Sequence, residues 1–402
     1  MINLRVLPDT LDLHGKRVLL RLDWNVPLGG DFGPEDTVKI RQSLTTIRLL
    51  RQRGAIVIIL THLGRPEGRE AKYSTKQLVS VLEHRFRLSV AFNSEAISSS
   101  ASRKRLVAEL ADAEPRSVHL LENVRFESGE ENDDVTLAKA YAEIGDVFIN
   151  DAFASSHRAH VSVSGIAKLL PSFAGPQLIE EATAASRLIE KPRAPFVVII
   201  GGLKLSTKIP VLKTLLPLCD RMLIGGAMAN TLAGSIGMPV GRSFVEKELF
   251  AQAKKIARDP KVVLPVDVVV TTKPDDDDDF RSVAVEAIEP TDVVVDVGPK
   301  TLAQWGKDIA RAKTILWNGP VGKSEIPAFG SGSRFLARTI ALAPKDRLFS
   351  VIGGGDTLPI IYKTKTQDAF SHVSMGGGAL LEFLAKNGQL PGLRPLIRRK
   401  DV

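Results

Sequence analysis

The sequence predicts an α/β protein with two doubly wound parallel sheets that are joined by a helix. Short runs of branched apolar residues recur along all 402 residues, and longer amphipathic segments lie between them. Unbroken apolar runs are typical of strands buried on both faces, as in a parallel sheet. Because the alternation can be traced both before and after about residue 190, we predict two sheets rather than one.

Each predicted strand is bounded by Gly, Pro or a polar turn, and the runs are 18–22, 56–60, 118–121, 147–149, 196–200, 222–224, 268–270, 314–317 and 348–352. The predicted helices between them are 39–51, 74–85, 135–143, 208–216, 246–257 and 334–341. A joining helix is predicted over residues 173–191, because Pro192 and Pro195 stop it.

The composition predicts a soluble globular protein with sizeable cores. Hydrophobic residues make up 44% and charged residues 25% of the chain, which excludes disorder, a collagen-like fibre and a disulfide scaffold. No apolar run approaches the roughly 18 to 20 residues of a membrane span, and the first ten residues show no targeting signal. We therefore expect a cytoplasmic protein with no membrane partner. The single cysteine, Cys219, lies in an apolar stretch and is predicted to be a buried thiol.

The net charge of +8 favours anionic partners. Aromatic residues make up only 5% of the chain and are not interleaved with a basic run, which argues against nucleic acid. The one dense block of charge, residues 275–279, is acidic and is predicted to be a solvated loop. An acidic metabolite and a nucleotide phosphate are the remaining candidates.

Polar motifs follow the predicted strands of the first half, where open α/β sheets bind their ligands. They are RLDWNVP (21–27), THLGRP (61–66), LLENVRF (120–126) and INDAFASSHRAH (149–160). Together they bring to one rim Asp23, Asn25, His62, Arg65, Arg125, His157, Arg158 and His160. Several cations with few carboxylates predict a site for a small polyanion, although any one arginine alone is as readily a surface or capping residue. The histidines lack Cys or carboxylate partners at ligand spacing, which argues against zinc.

Glycine-rich segments that run into helices recur in the second half, as GGLKLSTKI (201–209), IGGAMANT (224–231), VIGGGDT (351–357) and MGGGALLEFL (375–384). Lys204 and Lys208 share one face of a starting helix and suit nucleotide phosphates. Asp356 would offer a carboxylate to magnesium. One such loop is as readily a helix cap or tight turn, but their recurrence in one half indicates a nucleotide site. GPVGKS (319–324) is not a P-loop, because Trp317 stands where that loop needs a glycine, and no GxGxxG follows a strand.

Nearly the whole chain resembles the phosphoglycerate kinase family. The motifs that carry the resemblance occur in that family's order and are RLDWNVP, THLGRP, LLENVRF, NDAFASSHRAH, GGLKLSTKI, LPVDVVV, DVGPKT, ILWNGPVG, IGGGDT and GGGALLEFL. The resemblance implies two Rossmann-like domains with a hinge and an interdomain active-site cleft. It also implies Mg²⁺-dependent, reversible phosphoryl transfer between 1,3-bisphosphoglycerate and ADP, which gives 3-phosphoglycerate and ATP in glycolysis, gluconeogenesis or carbon fixation.

The same resemblance implies a domain organisation. Residues 1–172 would bind 3-phosphoglycerate, 173–191 would form the linker helix, 192–378 would bind the nucleotide, and 379–402 would pack back on the first domain. The expected partners are these substrates alone, and the expected state is a monomer.

The site residues that the resemblance implies fall into three groups. The substrate-binding group is Asp23, Trp24, Asn25, Lys39, His62, Leu63, Gly64, Arg65, Arg125 and Arg158. The nucleotide-binding group is Lys204, Lys208, Val294, Asn318, Glu325, Gly354, Gly355, Asp356 and Thr357, with Asp356 as the magnesium ligand. The residues that would act on the moving phosphoryl group are Lys39, Lys204, Gly376 and Gly377.

Several positions depart from the family's pattern. Lys39 stands where the family has an arginine on the reacting acyl phosphate, so the charge is kept but the planar fork is lost. Thr207 replaces an aspartate, and Val294 replaces a glycine of the adenine pocket. The remaining departures are Lys323, Ser324 and Met375. An alternative is therefore a divergent paralogue that binds an acidic metabolite with weak or no phosphoryl transfer, and a third is a kinase for another acyl phosphate.

Overall fold

The computed structural model describes residues 2–27, 34–276 and 278–398, which form two compact units. Unit 1 comprises the chain up to Thr183 together with the residues from Gly388 onward, and unit 2 is Ala184–Asn387. The first boundary falls within the predicted joining segment 173–191, and the second falls within the predicted C-terminal segment 379–402.

Unit 1 is built on a six-stranded sheet of β1 (Arg17–Arg21), β2 (Ile56–Leu60), β3 (Ala91–Asn93), β4 (Val118–Leu121), β5 (Val147–Asn150) and β6 (Ser172–Ala174). The spatial order is β3-β4-β2-β1-β5-β6, and every neighbouring pair is parallel. All five residues of β2 are buried, as expected for a strand that is covered on both faces.

The helices of unit 1 are α1 (Pro34–Gln52), α2 (Gln77–Phe86), α3 (Ser100–Ala111), α4 (Val135–Glu143) and the first part of α5 (Pro176–Glu190). A short π-helix, Val161–Gly165, follows β5. The end of the chain returns to this unit, where the backbone N–H of Arg5 donates to the carbonyl of Leu396 at 2.7 Å. The joining helix was predicted to begin at 173, which is wrong, because residues 172–174 pair with β5 as an edge strand instead.

Unit 2 contains a second six-stranded parallel sheet. Its strands are β7 (Phe196–Ile200), β8 (Arg221–Ile224), β9 (Val262–Val263), β13 (Thr314–Asn318), β14 (Phe349–Gly353) and β15 (His372–Val373), in the order β15-β14-β13-β7-β8-β9. Its helices are α6 (Ile209–Leu215), α7 (Ala227–Ser235), α8 (Phe250–Ala257), α9 (Pro299–Arg311), α10 (Ser331–Ala341), α11 (Leu358–Thr364) and α12 (Gly378–Ala385).

The remaining strands of unit 2 form a separate three-stranded antiparallel sheet. Its order is β11 (Arg281–Ala284), β10 (Asp267–Thr271), β12 (Val293–Val297). The expectation that the apolar run 268–270 belongs to a parallel sheet is therefore wrong. Val268 and Val270 are buried in a small apolar cluster, whereas Val269 points to the less covered face. Three consecutive valines hide that alternation in the sequence.

The predicted α/β class with two doubly wound parallel sheets is confirmed. The other eight predicted strands occur within one residue of their expected ends. In the part of the chain that the structure describes, no helix combines the length and the apolar content required to cross a membrane.

Asp151 connects three elements of unit 1. It directly follows β5, its Oδ1 accepts from the backbone N–H of Leu178 in the first turn of α5 at 3.0 Å, and its Oδ2 accepts from the hydroxyl of Thr46 on α1. A Cβ on Gly175 would lie 2.3 Å from the Asp151 carboxyl carbon, so only glycine fits beside it. Burial raises the pKa of Asp151 above its ordinary value.

We expect Asp151→Ala to lower the free energy of unfolding by about 1–3 kcal/mol, because two buried donors lose their acceptor. Urea denaturation measures the change. Asp112→Ala is the control, since Asp112 is exposed at the end of α3 and its replacement should cost less than about 0.5 kcal/mol. Equal stability of the two variants would contradict this role for Asp151.

Candidate active site

The structure brings most of the predicted unit 1 residues to the carboxyl edge of its sheet. Lys39 Nζ lies 3.6 Å from Asp23 Oδ2 and 3.4 Å from the carbonyl of Asn25. Burial is the main cause that lowers the pKa of Arg125. The charges of Arg158 and Arg65 lower it further, so these three arginines lie close together. We call the cations Lys39, Arg65, Arg125 and Arg158, together with His62 beside them, the anion rim.

The loop that carries His62 is fixed by hydrogen bonds from both sides. The backbone N–H of Gly64 donates to Asn25 Oδ1 at 2.8 Å, and the Arg125 guanidinium donates to the carbonyl of Gly64. Asn123 Nδ2 donates to the carbonyl of Leu63 at 2.8 Å. Gly64 has a φ of +57°, and a Cβ there would lie 2.3 Å from the ring of Tyr73, so the turn requires glycine.

Charge and burial act against each other at the rim. Burial raises the pKa of Asp23, but the charges of Lys39 and Arg21 and the hydrogen bond from the N–H of Asn25 outweigh it and hold the pKa below its ordinary value. Burial, followed by the charge of Arg21, holds the pKa of His62 well below its ordinary value. At neutral pH the rim therefore holds an uncharged His62 among ionised arginines, which is a strongly positive surface for an anion.

Two of the predicted residues have side chains in the core. Trp24 and Leu63 are fully buried, and Trp24 Nε1 donates to the hydroxyl of Ser43 at 2.8 Å. Only their main chain could contact a ligand in this arrangement. Their side chains instead anchor the segments that carry Asp23, Asn25 and His62.

A buried polar chain behind the rim was missed by the sequence reasoning. Arg21, only 1% exposed, donates from Nε to Ser162 Oγ at 2.9 Å, and its NH2 group lies 3.1 Å from His62 Nδ1. Ser162 in turn donates to Glu130. Arg21 is the last residue of an apolar strand. A charged residue at that position is the one feature of the sequence that could indicate a buried polar network.

Unit 2 contains a cavity of about 740 Å³, which we call the phosphate cavity. It is lined by the predicted phosphate-binding residues Lys204, Lys208, Asn318, Gly354, Gly355, Asp356 and Gly377, with Gly378 beside them. Lys208 Nζ donates to Asn318 Oδ1 at 2.7 Å. Burial lowers the pKa of Lys208 to about 8, against the opposing charge of Asp356. Asn318 Nδ2 is buried and has no hydrogen-bond partner among the described residues, so a ligand oxygen nearby would satisfy it.

Glycines shape this cavity by leaving main-chain N–H groups uncovered. Gly354 has a φ of +105°, and Thr357 Oγ1 accepts from the N–H of Gly319 at 2.9 Å beneath it. A Cβ on Gly355, Gly377 or Gly378 would meet no described atom within 4 Å. These main-chain positions therefore face open space, as a phosphate group requires. Gly376 is buried, and its N–H donates to Ser374 Oγ at 3.1 Å.

An apolar cavity of about 400 Å³ adjoins the phosphate cavity, and both are lined by Gly202, Leu203 and Asp356. Its walls include the predicted Val294 and Glu325, together with Pro239, Val240, Phe244 and Ile288, which the sequence reasoning missed. The volume and apolar lining suit a nucleobase. The missed residues lie on loops around the antiparallel sheet. Because the sequence did not predict that sheet, it did not predict that these residues line a cavity.

The departures from the family pattern have local partners. Lys323 Nζ donates to the carbonyl of Pro274 at 2.8 Å and pairs with Asp275 Oδ1 at 2.6 Å, so its charge is directed to the acidic loop. Thr207 is exposed, and its hydroxyl donates to the carbonyl of Lys204 at 3.0 Å. Val294 is half-buried, and its N–H donates to Ser243 Oγ at 2.9 Å.

Magnesium fits the nucleotide side of the site. The described residues contain no group of three or more His, Cys, Asp or Glu side chains that could hold a metal ion by themselves. Mg²⁺ is commonly held by one or two carboxylates together with substrate phosphates. Asp356 is exposed in the phosphate cavity and close enough to Lys208 to influence its pKa, so it meets that requirement.

A phosphate cavity that shares three lining residues with a nucleobase-sized cavity, on an α/β chain that also carries an anion rim, is consistent with the class of nucleotide-dependent kinases. The chain belongs to the phosphoglycerate kinase family, since the family model described as phosphoglycerate kinase matches residues 8–387. It is therefore a phosphotransferase of that family.

Individual relatives agree with the family model. The phosphoglycerate kinase of Thermus thermophilus is 43% identical over 398 residues, covering 98% of this chain and 100% of that protein. That of Desulfosudis oleivorans is 39% identical over 400 residues, covering 98% and 99%. The solved structure of phosphoglycerate kinase from Coxiella burnetii has a TM-score of 0.84 and 38% identity, covering 96% of this chain and 97% of that one.

Asp296 is a buried carboxylate in the wall of the apolar cavity, and we expect it to make the free energy of unfolding depend on pH. Its Oδ2 accepts from the N–H of Gly332 at 2.8 Å and its Oδ1 from that of Val297 at 2.9 Å, but burial raises its pKa from 3.8 to about 7. Between these two values the native state holds a proton that the unfolded chain has released. The contribution of Asp296 to stability is therefore lost as the pH rises through about 7.

We expect Asp296→Asn to remove this dependence. Relative to the variant, the wild-type free energy of unfolding should fall between about pH 4 and pH 7, by up to about 4 kcal/mol. Urea denaturation of both proteins at several pH values measures the difference. Parallel pH profiles would show that the native pKa of Asp296 is not raised above its ordinary value.

Proposed function

We propose that this protein catalyses reversible, Mg²⁺-dependent phosphoryl transfer between 1,3-bisphosphoglycerate and ADP, giving 3-phosphoglycerate and ATP. The observation that carries the proposal is that the apolar cavity and the phosphate cavity share Gly202, Leu203 and Asp356 as lining residues. A nucleobase and its phosphates would occupy such a pair together. A carboxyl oxygen would then be the acceptor when the reaction runs toward the acyl phosphate.

The anion rim of unit 1 suits the glycerate substrate. Its phosphate and carboxylate would be held by Arg65, Arg125 and Arg158, because guanidinium forks pair bidentately with both groups. His62 would donate one hydrogen bond, and Asp23 and Asn25 would bind the hydroxyl. Lys39 would neutralise charge at the reacting acyl phosphate.

The cavities of unit 2 suit the nucleotide. Lys208 and the N–H groups around Gly354 and Gly355 would bind the phosphates, and Glu325 would bind the ribose. Mg²⁺, held by Asp356, would supply neutralisation of phosphate charge when bound. Lys204, which is exposed in the phosphate cavity, would follow the moving phosphoryl group together with the N–H of Gly377. The predicted N–H of Gly376 would first have to leave Ser374 Oγ.

Phosphoryl transfer needs little covalent help from a protein. Its rate depends on in-line positioning of the two oxygens and on neutralising the charge of the phosphoryl group. The cations and N–H donors of this chain meet the second requirement. The hinge and the interdomain cleft that would meet the first are predictions of the resemblance.

The divergent paralogue is not favoured, because the chain keeps both the phosphate cavity and 43% identity to a phosphoglycerate kinase. A coupled assay of ATP-dependent phosphorylation of 3-phosphoglycerate, with calorimetric titration of MgADP, distinguishes the two. We expect MgADP binding and turnover of roughly 1 to 1,000 per second. Glycerate binding without turnover would instead identify the paralogue.

Asp356→Ala should lower Mg²⁺-dependent turnover by about 100-fold or more, because metal neutralisation of the phosphates is worth several kcal/mol. The coupled assay at several Mg²⁺ concentrations measures the loss. Asp368→Ala is the matched control, since Asp368 is not among the residues lining either cavity. Normal turnover in Asp356→Ala would overturn the metal assignment.

Lys39→Arg should raise kcat about 3- to 10-fold, which is less than the roughly 100-fold cost of losing a transition-state donor entirely. The arginine would restore a planar fork where lysine offers one point charge. The assay compares kcat of the two proteins at saturating substrates. An unchanged or lower kcat would mean that the contacts of Lys39 with Asp23 and Asn25 have adapted the rim to lysine.

A further inference from the structure

The buried chain behind the anion rim consists of Glu130, Ser162, Arg21 and His62, which lie on different segments of unit 1. Glu130 and Arg21 are each 1% exposed, and Ser162 is fully buried. Ser162 donates from its hydroxyl to Glu130 Oε1 at 2.5 Å and from its N–H to Oε2 at 3.0 Å. Both carboxylate oxygens of Glu130 are therefore bound by one residue of the π-helix.

The directions of these hydrogen bonds are determined by chemistry. Guanidinium groups only donate, so Ser162 Oγ must accept from Arg21 Nε at 2.9 Å, and its one proton is then free to go to Glu130. By the same rule His62 Nδ1 must accept from the Arg21 NH2 group at 3.1 Å. A third bond, from Arg21 to the carbonyl of Leu22, fixes the guanidinium plane.

These hydrogen bonds determine which ring nitrogen of His62 carries the proton. If Nδ1 accepts, a neutral imidazole carries its proton on Nε2, and the ring has one donor and one acceptor in fixed positions. A protonated ring would place a donor against Arg21, which agrees with the low pKa of His62 that burial and Arg21 cause. His62 therefore donates a hydrogen bond without adding charge to the rim.

We propose that Glu130 is a positioning residue for anion binding: through Ser162 it orients Arg21, and Arg21 holds His62 in the tautomer with its proton on Nε2. The proposal rests on the proposed function, in which the glycerate substrate is the anion. Among the described residues, Glu130 forms no hydrogen bond to His62. Its effect reaches His62 over three hydrogen bonds, between Glu130 and Ser162, between Ser162 and Arg21, and between Arg21 and His62.

Glu130 also supplies negative charge to the buried Arg21, and Asp23 acts on Arg21 in the same sense. Burial raises the pKa of Glu130 to about 7, so its charge is complete above that pH. An unpaired buried guanidinium would be strongly disfavoured, and the carboxylate lies one hydroxyl away from it. Other groups that act on Glu130 are Arg125 and, at 4.0 Å from its Oε1, His160 Nδ1. Removal of the carboxylate would leave Arg21 buried with no counter-charge in this chain of bonds, so its guanidinium should shift from His62.

The test uses Glu130→Gln and Ser162→Ala in the full-length protein. Two-bond ¹H–¹⁵N correlation spectra of the histidine rings report the tautomer, and His62→Gln assigns the His62 signals. Wild-type protein should show a protonated Nε2 and an unprotonated Nδ1, and both variants should show a mixture of tautomers. The KM for 3-phosphoglycerate should rise about tenfold, as when one hydrogen bond to a charged ligand is misaligned. The KM for MgATP should stay within about twofold.

Glu127→Gln is the matched control. Glu127 is a buried carboxylate of the same segment, but it accepts from the N–H groups of Ile97 and Ser98 at 2.8 and 3.1 Å rather than from the Arg21 chain. Its spectra and its KM for 3-phosphoglycerate should match those of the wild type. An unchanged tautomer in folded Glu130→Gln and Ser162→Ala, verified by circular dichroism, would overturn the proposal. Absent turnover in the wild type would count against the proposed function alone, because the spectra do not need turnover.

Discussion

Parallel pairing of buried strands is the constraint on which both sites depend. Neighbouring parallel strands end at the same edge, so the residues that follow them meet whatever their separation in sequence. In unit 1, Arg21 is paired with both Leu60 and Asn150, so the segments after β1, β2 and β5 leave the sheet at one level. In unit 2, Asn318 is paired with Ile200 and Gly353, and the phosphate cavity forms there.

The two sites handle buried charge differently. Unit 1 gathers several cations, and Asp23, with a pKa held low by Lys39 and Arg21, offsets part of their charge. Unit 2 places one buried lysine, Lys208, against the amide of Asn318, and burial lowers its pKa to about 8. In both units the unbalanced charge is positive, so an anionic ligand would relieve the cost of burying it.

The antiparallel sheet gives unit 2 a wall that the parallel sheet lacks. Val268 and Val294 pack in its small apolar cluster and also line the apolar cavity, and Asp296 near the end of β12 accepts from the N–H of Gly332 on α10. Val294 belongs to that wall. Its side chain is larger than the glycine of the family pattern, so it narrows the apolar cavity without closing it. The side chain of Lys323, another position that departs from the family pattern, contacts Pro274 and Asp275 at the border of the same cavity.

The sequence by itself determined the fold class, all nine predicted strands and the motifs at their ends, because those features depend on local apolar runs and glycine chemistry. Only the tertiary structure decided the short edge strands β3, β6, β9 and β15 and the antiparallel pairing of β10 with β11 and β12. The edge strands are only two or three residues long, and the apolar run of β10 does not reveal the direction of its partners. It also decided the chain from Glu130 to His62. Arg21 and Ser162 are 141 positions apart, and no local pattern predicts a hydrogen bond over that separation.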